Sequence, residues 1–340
     1  MQKGWGHSYQ GSYSRRLCHA HIHLDKCFLL NNDGSHNCCR DFAEALKSLQ
    51  RPKPFPSDLT DLYNRGKRLV IESIQCGVTA MRAHVEWTRR RCTEGVQAVG
   101  SAPYVEPSIA QAKRNIDLIL DTAHENKLHA DFHLDYNLDP TAEPLIWYLL
   151  AQLRSRINSG RWADGAHVCV GHATRLSLFS AEEWTRFRMA VEDAENQNSL
   201  PITLPGPPRA TLDVPGLARE HRVKVGMAVN NVENAFTPQG TIDPLALCPM
   251  GVAVFQDGTK RGCQTLVEAV TITARKAIAA RGPASLFPAK GDAADFVLLH
   301  ENDSLYSAAL NPSYTRTVIK DGEIVATRRA DKWIRLVAQQ

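Results

Sequence analysis

The chain has 340 residues, of which 43% are hydrophobic and 22% charged, and its formal net charge is +4. This mild charge, with Arg89–Arg91 as the one tight basic run, argues against a nucleic-acid partner. The nine cysteines lack the spacing of a disulfide framework or a zinc ribbon. Since neither a signal-peptide core nor a membrane-spanning run occurs, we expect a cytoplasmic protein with no membrane partner.

Short apolar strands alternate with amphipathic helices along most of the chain. The predicted strands begin near residues 17, 77, 96, 129, 166, 200 and 223. The predicted helices cover residues 59–75, 109–127, 144–158, 180–194 and 263–278. Such alternation predicts an α/β fold with a parallel sheet, most simply a TIM-type (β/α) barrel. Residues 294–300 and 316–326 differ, because they predict a strand and a hairpin that turns at Asp321–Gly322.

Histidines collect at the carboxyl ends of the predicted strands, where barrel enzymes carry their reactive groups. The segment "LCHAHIHLDKC" places His21 and His23 on one strand face, about 7 Å apart along the backbone. Two such imidazoles can ligate one cation, and a third from a later strand completes a set suited to zinc or ferrous iron. A single strand-end histidine is more often structural. Four strand ends that carry histidines together favour a metal site.

Six segments in this order resemble the cytosine-deaminase-like branch of the amidohydrolase superfamily: "HAHIHLDK", "RAHVE", "SAPYVE", "DFHLDYNLD", "VGHATRLS" and "AVNNVENAF". The resemblance runs from about residue 17 to residue 326. It implies that His21, His23 and His133 bind one metal ion. It also implies that His172 contacts the activated water or the substrate.

Two residues depart from the pattern of that branch. Asn230 stands where the family usually has an aspartate that binds the metal and accepts a proton, and an amide cannot do the latter at neutral pH. Tyr136 stands where the cytosine deaminases have a glutamate that shuttles protons. Asp135 is our first candidate for a replacement base, since it follows His133 by two residues on the same strand face. An equally supported interpretation of Asp135 is a hydrogen-bonding partner that orients a ligand histidine.

Two parts of the expected architecture are missing from the sequence pattern. The segment "TRRRCTEG" at residues 88–95 is too short for a parallel crossover, so the barrel is expected to lack one βα unit and to keep seven strands. The predicted domains are an irregular segment 1–16, the barrel 17–285, and a C-terminal β-hairpin with a remnant small sandwich at 286–340. The second missing part is in this sandwich, because about sixteen residues before the first barrel strand leave the C-terminal strands without most of their partners. Unpaired strand edges favour either a homo-oligomer or a poorly soluble chain, and a gene-model fault would explain both gaps.

The expected function is metal-dependent hydrolysis of a C–N bond in a cyclic amide or an aminoheterocycle, through a metal-activated water. Zinc is the expected ion and iron the second choice, with Asn230 as a weak fourth ligand. The catalytic candidates are His172, Asp135, Asn230 and Tyr136. Two alternatives stay open: a catalytically degraded relative, and a lyase or isomerase that uses the same metal scaffold.

Overall fold

The computed structural model describes residues 11–29, 59–85, 95–192, 211–237 and 240–331. The chain divides into two compact units. The first comprises Met1–Glu86, Gly226–Lys276 and Ala280–Gln340, and the second comprises Trp87–Val225 and Ala277–Ala279. Within the described ranges, no helix is both long enough and apolar enough to cross a membrane.

The described residues form nine strands and nine α-helices. The strands are β1 (Gly11–Arg15), β2 (Leu17–His23), β3 (Val78–His84), β4 (Ala98–Ser101), β5 (His129–Leu134), β6 (Val168–His172), β7 (Phe296–His300), β8 (Arg316–Lys320) and β9 (Glu323–Arg328). The helices are α1 (Leu59–Cys76), α2 (Ile109–Asn126), α3 (Leu145–Asn158), α4 (Ala181–Glu192), α5 (Val214–Glu220), α6 (Leu247–Phe255), α7 (Lys260–Ala269), α8 (Ile272–Ala277) and α9 (Leu305–Leu310).

In the first unit, β2 and β3 form a parallel pair that places His23 opposite His84. The register shifts between His19 and Ile22, so one extra residue on β2 bulges against β3. Ile22 is fully buried and packs with Leu69 of α1. This packing anchors the histidine-bearing strand on its helix, and burial of each such aliphatic side chain stabilises the unit by about 1.5–3 kcal/mol.

A second sheet of the first unit is antiparallel and has the order β1-β7-β8-β9. The sequence predicts an irregular segment over residues 1–16, and for residues 11–15 this prediction is wrong, because they form a strand. Gly11–Arg15 pairs with β7 over its full length, from Gly11 opposite His300 to Arg15 opposite Phe296. The hairpin of β8 and β9 is confirmed, because Asp321 and Gly322 both have positive φ angles, as a type I′ turn requires.

In the second unit, β4, β5 and β6 form a parallel sheet in that order. One face of β5, with Ala130, Phe132 and Leu134, is fully buried against the apolar stripes of α2 and α3. The other face of β5 carries His129, Asp131 and His133. This division follows from the two-residue period of a strand, and it leaves the polar face for the candidate site.

Five of the seven strands expected for the barrel are present, at β2 to β6. The strand expected at 200–206 and residues 88–94 of the expected gap lie outside the described residues. The strand expected over 223–230 does not form a ladder, since Ile22 and Asn230 make an isolated parallel bridge. Met227 instead donates its N–H to Ala269 (2.9 Å). The fold is α/β, and the described strands do not close into a barrel.

Candidate metal centre

Three imidazoles of the first unit cluster at the carboxyl ends of β2 and β3. The His21 ring stacks on the His84 ring with 3.9 Å between centroids, and the His23 ring lies edge-on to His21 at 5.1 Å. The Nε2 atoms of His21 and His23 are 3.3 Å apart. At this separation the two nitrogens cannot both carry protons without repulsion, so at least one offers a lone pair. Such a cluster has the donors that a divalent transition metal requires.

Asn230 lies directly beside this cluster on the other edge of β2. Its N–H donates to the carbonyl of His21 (3.2 Å), and its carbonyl accepts from the N–H of His23 (2.9 Å). The Oδ1 atom of Asn230 is buried and has no hydrogen-bond partner among the described residues. A buried acceptor left in this state costs about 1–3 kcal/mol, which a cation or a ligand donor would offset. The donor set therefore fits a metal ion.

The segment that follows the two histidines is held by side chains from two other elements. The Nη1 atom of Arg65 on α1 donates to the carbonyls of Asp25 (2.8 Å) and Cys27 (2.9 Å). The Nδ2 atom of Asn234 donates to the carbonyl of Lys26 (2.9 Å). These contacts fix the turn after β2, and they give Asn234 the loop-anchoring role expected of an asparagine in this position.

His19, the first histidine of the motif "LCHAHIHLDKC", differs from the clustered histidines in its hydrogen-bond partner and in its pKa. It is fully buried, and its Nε2 atom lies 3.3 Å from the Ser73 hydroxyl of α1. Burial lowers the pKa of His19 to about 4, so the ring is neutral at physiological pH. We therefore assign His19 a packing role.

In the second unit, β5 presents Asp131 and His133 on one face. Asp131 is buried, and the register places Gly100 of β4 directly opposite it. A Cβ atom at Gly100 would lie 2.3 Å from the Asp131 carbonyl oxygen, so only glycine allows this approach. Gly171 of β6 stands opposite His133. Glycines beside both residues leave space around the polar face of β5.

An aromatic group surrounds His172 at the end of β6. Its ring lies edge-on to His133 (5.1 Å, 81°) and stacks on Tyr136 (4.2 Å, 21°). Tyr104 is edge-on to Tyr136 at 5.7 Å, and burial raises the pKa of Tyr104 to about 12. His172 and Ala173 both have left-handed backbones, with φ of 66° and 52°. Each such residue costs about 1 kcal/mol or more, a strain typical of functional sites.

Asp135 is engaged in helix capping. Its Oδ1 and Oδ2 atoms accept the N–H groups of Leu145 (2.9 Å) and Ile146 (3.0 Å), the first residues of α3. The side chain is buried, which raises its pKa, while these two hydrogen bonds act in the opposite direction. Both oxygens thus cap α3, a role that differs from the two sequence interpretations of Asp135, a general base and a partner of a ligand histidine.

Each unit offers candidate ligands of its own: His21, His23 and His84 lie together in the first unit, and Asp131 and His133 lie on one face of β5 in the second unit. His21 and His133 were predicted as ligands from the sequence, whereas His84 and Asp131 were not. The alternation of β5 offered a signal for Asp131, which precedes His133 by two residues. For His84 the signal was its place at a strand end, in the motif "RAHVE"; it was counted among the strand-end histidines but not placed in the ligand set.

No protein-family model matches the sequence, and no curated protein matches it. Solved structures do match the fold. A 5-methylcytosine deaminase from Klebsiella pneumoniae, liganded with phosphonocytosine, has a TM-score of 0.76 at 18% identity, and the match covers 98% of this chain and 92% of that one. An N-isopropylammelide isopropylaminohydrolase from Burkholderia multivorans has a TM-score of 0.65 at 16% identity, covering 94% and 87%.

A third structure, an adenosine deaminase from Xanthomonas campestris with bound zinc, has a TM-score of 0.57 at 13% identity, covering 94% of this chain and 81% of that one. These three proteins are named for reactions at C–N bonds, and one of the structures holds zinc. The resemblance inferred from the six sequence segments is thus confirmed at the level of the fold.

Proposed function

We propose that this protein is a metal-dependent hydrolase that cleaves a C–N bond in a cyclic amide or an aminoheterocycle. The observation that carries the proposal is the imidazole cluster of His21, His23 and His84, in which two Nε2 atoms lie 3.3 Å apart. Its support comes from the fold, which resembles deaminases and an aminohydrolase. The substrate is a small molecule, and neither a nucleic acid nor a membrane is proposed as a partner.

We assign one divalent cation to this chain, with zinc as the first choice and iron as the second. His21, His23 and His133 would hold it, with Asn230 as a neutral oxygen donor and His84 of the same imidazole cluster as a further ligand. The ion would act as a Lewis acid that polarises a carbonyl and lowers the pKa of water. The unpartnered Oδ1 of Asn230 supports this assignment, because a cation would satisfy it.

The protein's own residues would orient the substrate and move the proton. His172 would orient the attacking water or the developing oxyanion, since its ring adjoins His133. The amide of Asn230 cannot accept the proton, and the Asp135 carboxylate is held by α3. Asp131 is the carboxylate on the same strand face as His133, and we assign it proton acceptance. A positioned base contributes about 10²–10⁴ in rate.

The proposed architecture is an incomplete TIM-type barrel within residues 17–285 that includes β2 to β6, and a small β-domain at 286–340 that also takes in Gly11–Arg15. A homo-oligomer and a cytoplasmic location complete the proposal. Size-exclusion chromatography with light scattering tests the oligomer, and an entirely monomeric protein would contradict it.

Metal analysis of freshly purified protein tests the proposal directly. We expect about one equivalent of zinc or iron per chain. His21→Ala and His133→Ala should each lose the metal, whereas the control His221→Ala should keep it, because His221 stacks on Trp184 in the second unit. Cyclic amides, cyclic ureas and aminoheterocycles then form the activity screen. Wild-type protein without bound metal would refute the proposal.

Asn230 favours a second candidate function, a lyase or isomerase on the same scaffold or a degraded hydrolase. The variant Asn230→Asp separates these possibilities. A gain in hydrolysis of about 10²-fold or more would identify a hydrolase that lacks its base. No gain in hydrolysis, or a loss, would support a lyase or isomerase reaction that requires the Asn230 amide.

A further inference from the structure

We propose that Tyr136 is a positioning residue whose aromatic ring, rather than its hydroxyl, sets the orientation of the His172 imidazole. The contact lies entirely within the second unit. The proposed function gives this orientation its meaning, because His172 is there assigned to the water or the oxyanion.

The geometry of the rings carries the inference. The planes of Tyr136 and His172 are 21° from parallel, and their centroids are 4.2 Å apart, which is a stacked arrangement. Tyr104 contacts both rings by its edge or face, at 5.7 Å from Tyr136 and 6.0 Å from His172. On another side, His133 meets the His172 ring at 81°. Three rings therefore contact the imidazole, and of these three Tyr136 stacks on it face to face.

The backbone at His172 is fixed, whereas the side-chain orientation of His172 requires further contacts. His172 and Ala173 adopt left-handed φ angles in succession, a conformation that neither residue type favours. The N–H of Ala173 donates to the carbonyl of Leu134 (2.9 Å), which fixes the main chain at the end of β6. The χ angles of His172 are not determined by that hydrogen bond. The stacked Tyr136 ring is the contact to which we assign their orientation.

Two interpretations of Tyr136 make opposite predictions for two substitutions. If the phenol carries a proton, then Tyr136→Phe is the damaging change. If the ring positions His172, then Tyr136→Phe is tolerated and Tyr136→Leu is damaging, because leucine keeps apolar bulk without a flat face. Tyr148, whose hydroxyl donates to Asp117 on α2, provides a control tyrosine in the same unit.

The experiment is NMR on protein with labelled histidine and tyrosine rings, with His172→Gln to assign the imidazole signals. Wild type and Tyr136→Phe should show a nuclear Overhauser effect between His172 and Tyr104 with narrow His172 lines. Tyr136→Leu should lose this effect and broaden those lines, whereas Tyr148→Leu should leave them unchanged. Persistence of the wild-type effect and line widths in Tyr136→Leu would overturn the proposal, and so would their loss in Tyr136→Phe.

Kinetics supply a second measurement on any substrate that the screen identifies. Tyr136→Leu should lower kcat by on the order of 10²-fold with little change in KM, as expected for a displaced catalytic group. Tyr136→Phe should keep most of the wild-type kcat. Metal content distinguishes the two hypotheses: wild type without metal refutes the proposed function, while the NMR contact supports or refutes the positioning role by itself.

Discussion

Replacement of Asp135 tests whether this carboxylate supports the fold or performs chemistry. Both of its oxygens accept backbone N–H groups, from Leu145 at 2.9 Å and Ile146 at 3.0 Å, and the side chain is 3% exposed. Asp135→Ala would leave two buried donors at the first turn of α3 without their acceptors. Asp135→Asn keeps one acceptor and loses the charge that favours a helix N-terminus.

The magnitude follows from these two hydrogen bonds. Loss of a helix cap costs about 0.5–2 kcal/mol, and a buried hydrogen bond to a charged group contributes about 1.5–3 kcal/mol. We therefore expect Asp135→Ala to lower the free energy of unfolding by about 2–4 kcal/mol, and Asp135→Asn by about half as much. For a unit of this size, each kcal/mol lowers Tm by roughly 2–4 °C.

The assay is urea unfolding followed by tryptophan fluorescence, since Trp147 and Trp184 both pack in the core of the second unit. Glu143→Gln is the matched control: Glu143 is exposed near the start of α3 and pairs with Lys113 at the surface, so its loss should cost less than about 1 kcal/mol. An Asp135→Ala variant as stable as wild type would refute the capping role. Loss of activity in Asp135→Asn at unchanged stability would identify the carboxylate as the base.

Four further outcomes are expected. Arg316 is fully buried and bidentate to Asp243, so Arg316→Ala should lower the free energy of unfolding in urea by about 3–5 kcal/mol, and a loss below 1 kcal/mol would contradict this. Gly77 has a φ of +100°, and a Cβ there would lie 2.5 Å from a methyl of Val297; Gly77→Ala should therefore lower stability by at least about 1–2 kcal/mol, and an unchanged Tm would argue against the strain. Burial lowers the pKa of His221, so as pH falls through the ordinary imidazole range the unfolded chain binds a proton before the folded protein does and the folded state loses stability. The fall in Tm from pH 7.5 to 5 should therefore be smaller in His221→Phe than in wild type. An equal fall in Tm in both proteins would contradict this. Removal of the metal with a chelator should lower Tm, and re-addition of zinc should restore it. A Tm that is unchanged by both treatments would weigh against a bound ion.

Local sequence periodicity predicted most of the secondary structure correctly. The alternation in "LCHAHIH" and "HADFHLD" places β2 and β5 within a residue of their observed bounds. Asp321–Gly322 forms the predicted turn, because few residue pairs tolerate two positive φ angles. The two-residue period also placed His21 and His23 on one strand, close to each other. These features depend on neighbours in sequence, and the sequence therefore contains them.

The choice of long-range partners was decided by tertiary structure. Gly11–Arg15 has no strong strand pattern and becomes a strand because the edge of β7 offers it unpaired hydrogen-bonding groups. Residues 223–230 alternate as a strand does, yet their backbone groups bond to Ala269 and to β2 at isolated positions. Asp135 lies on the expected strand but turns its carboxylate to α3. The residue spacing of a chain determines which face a side chain occupies, whereas the partner that it meets there depends on packing between segments distant in sequence.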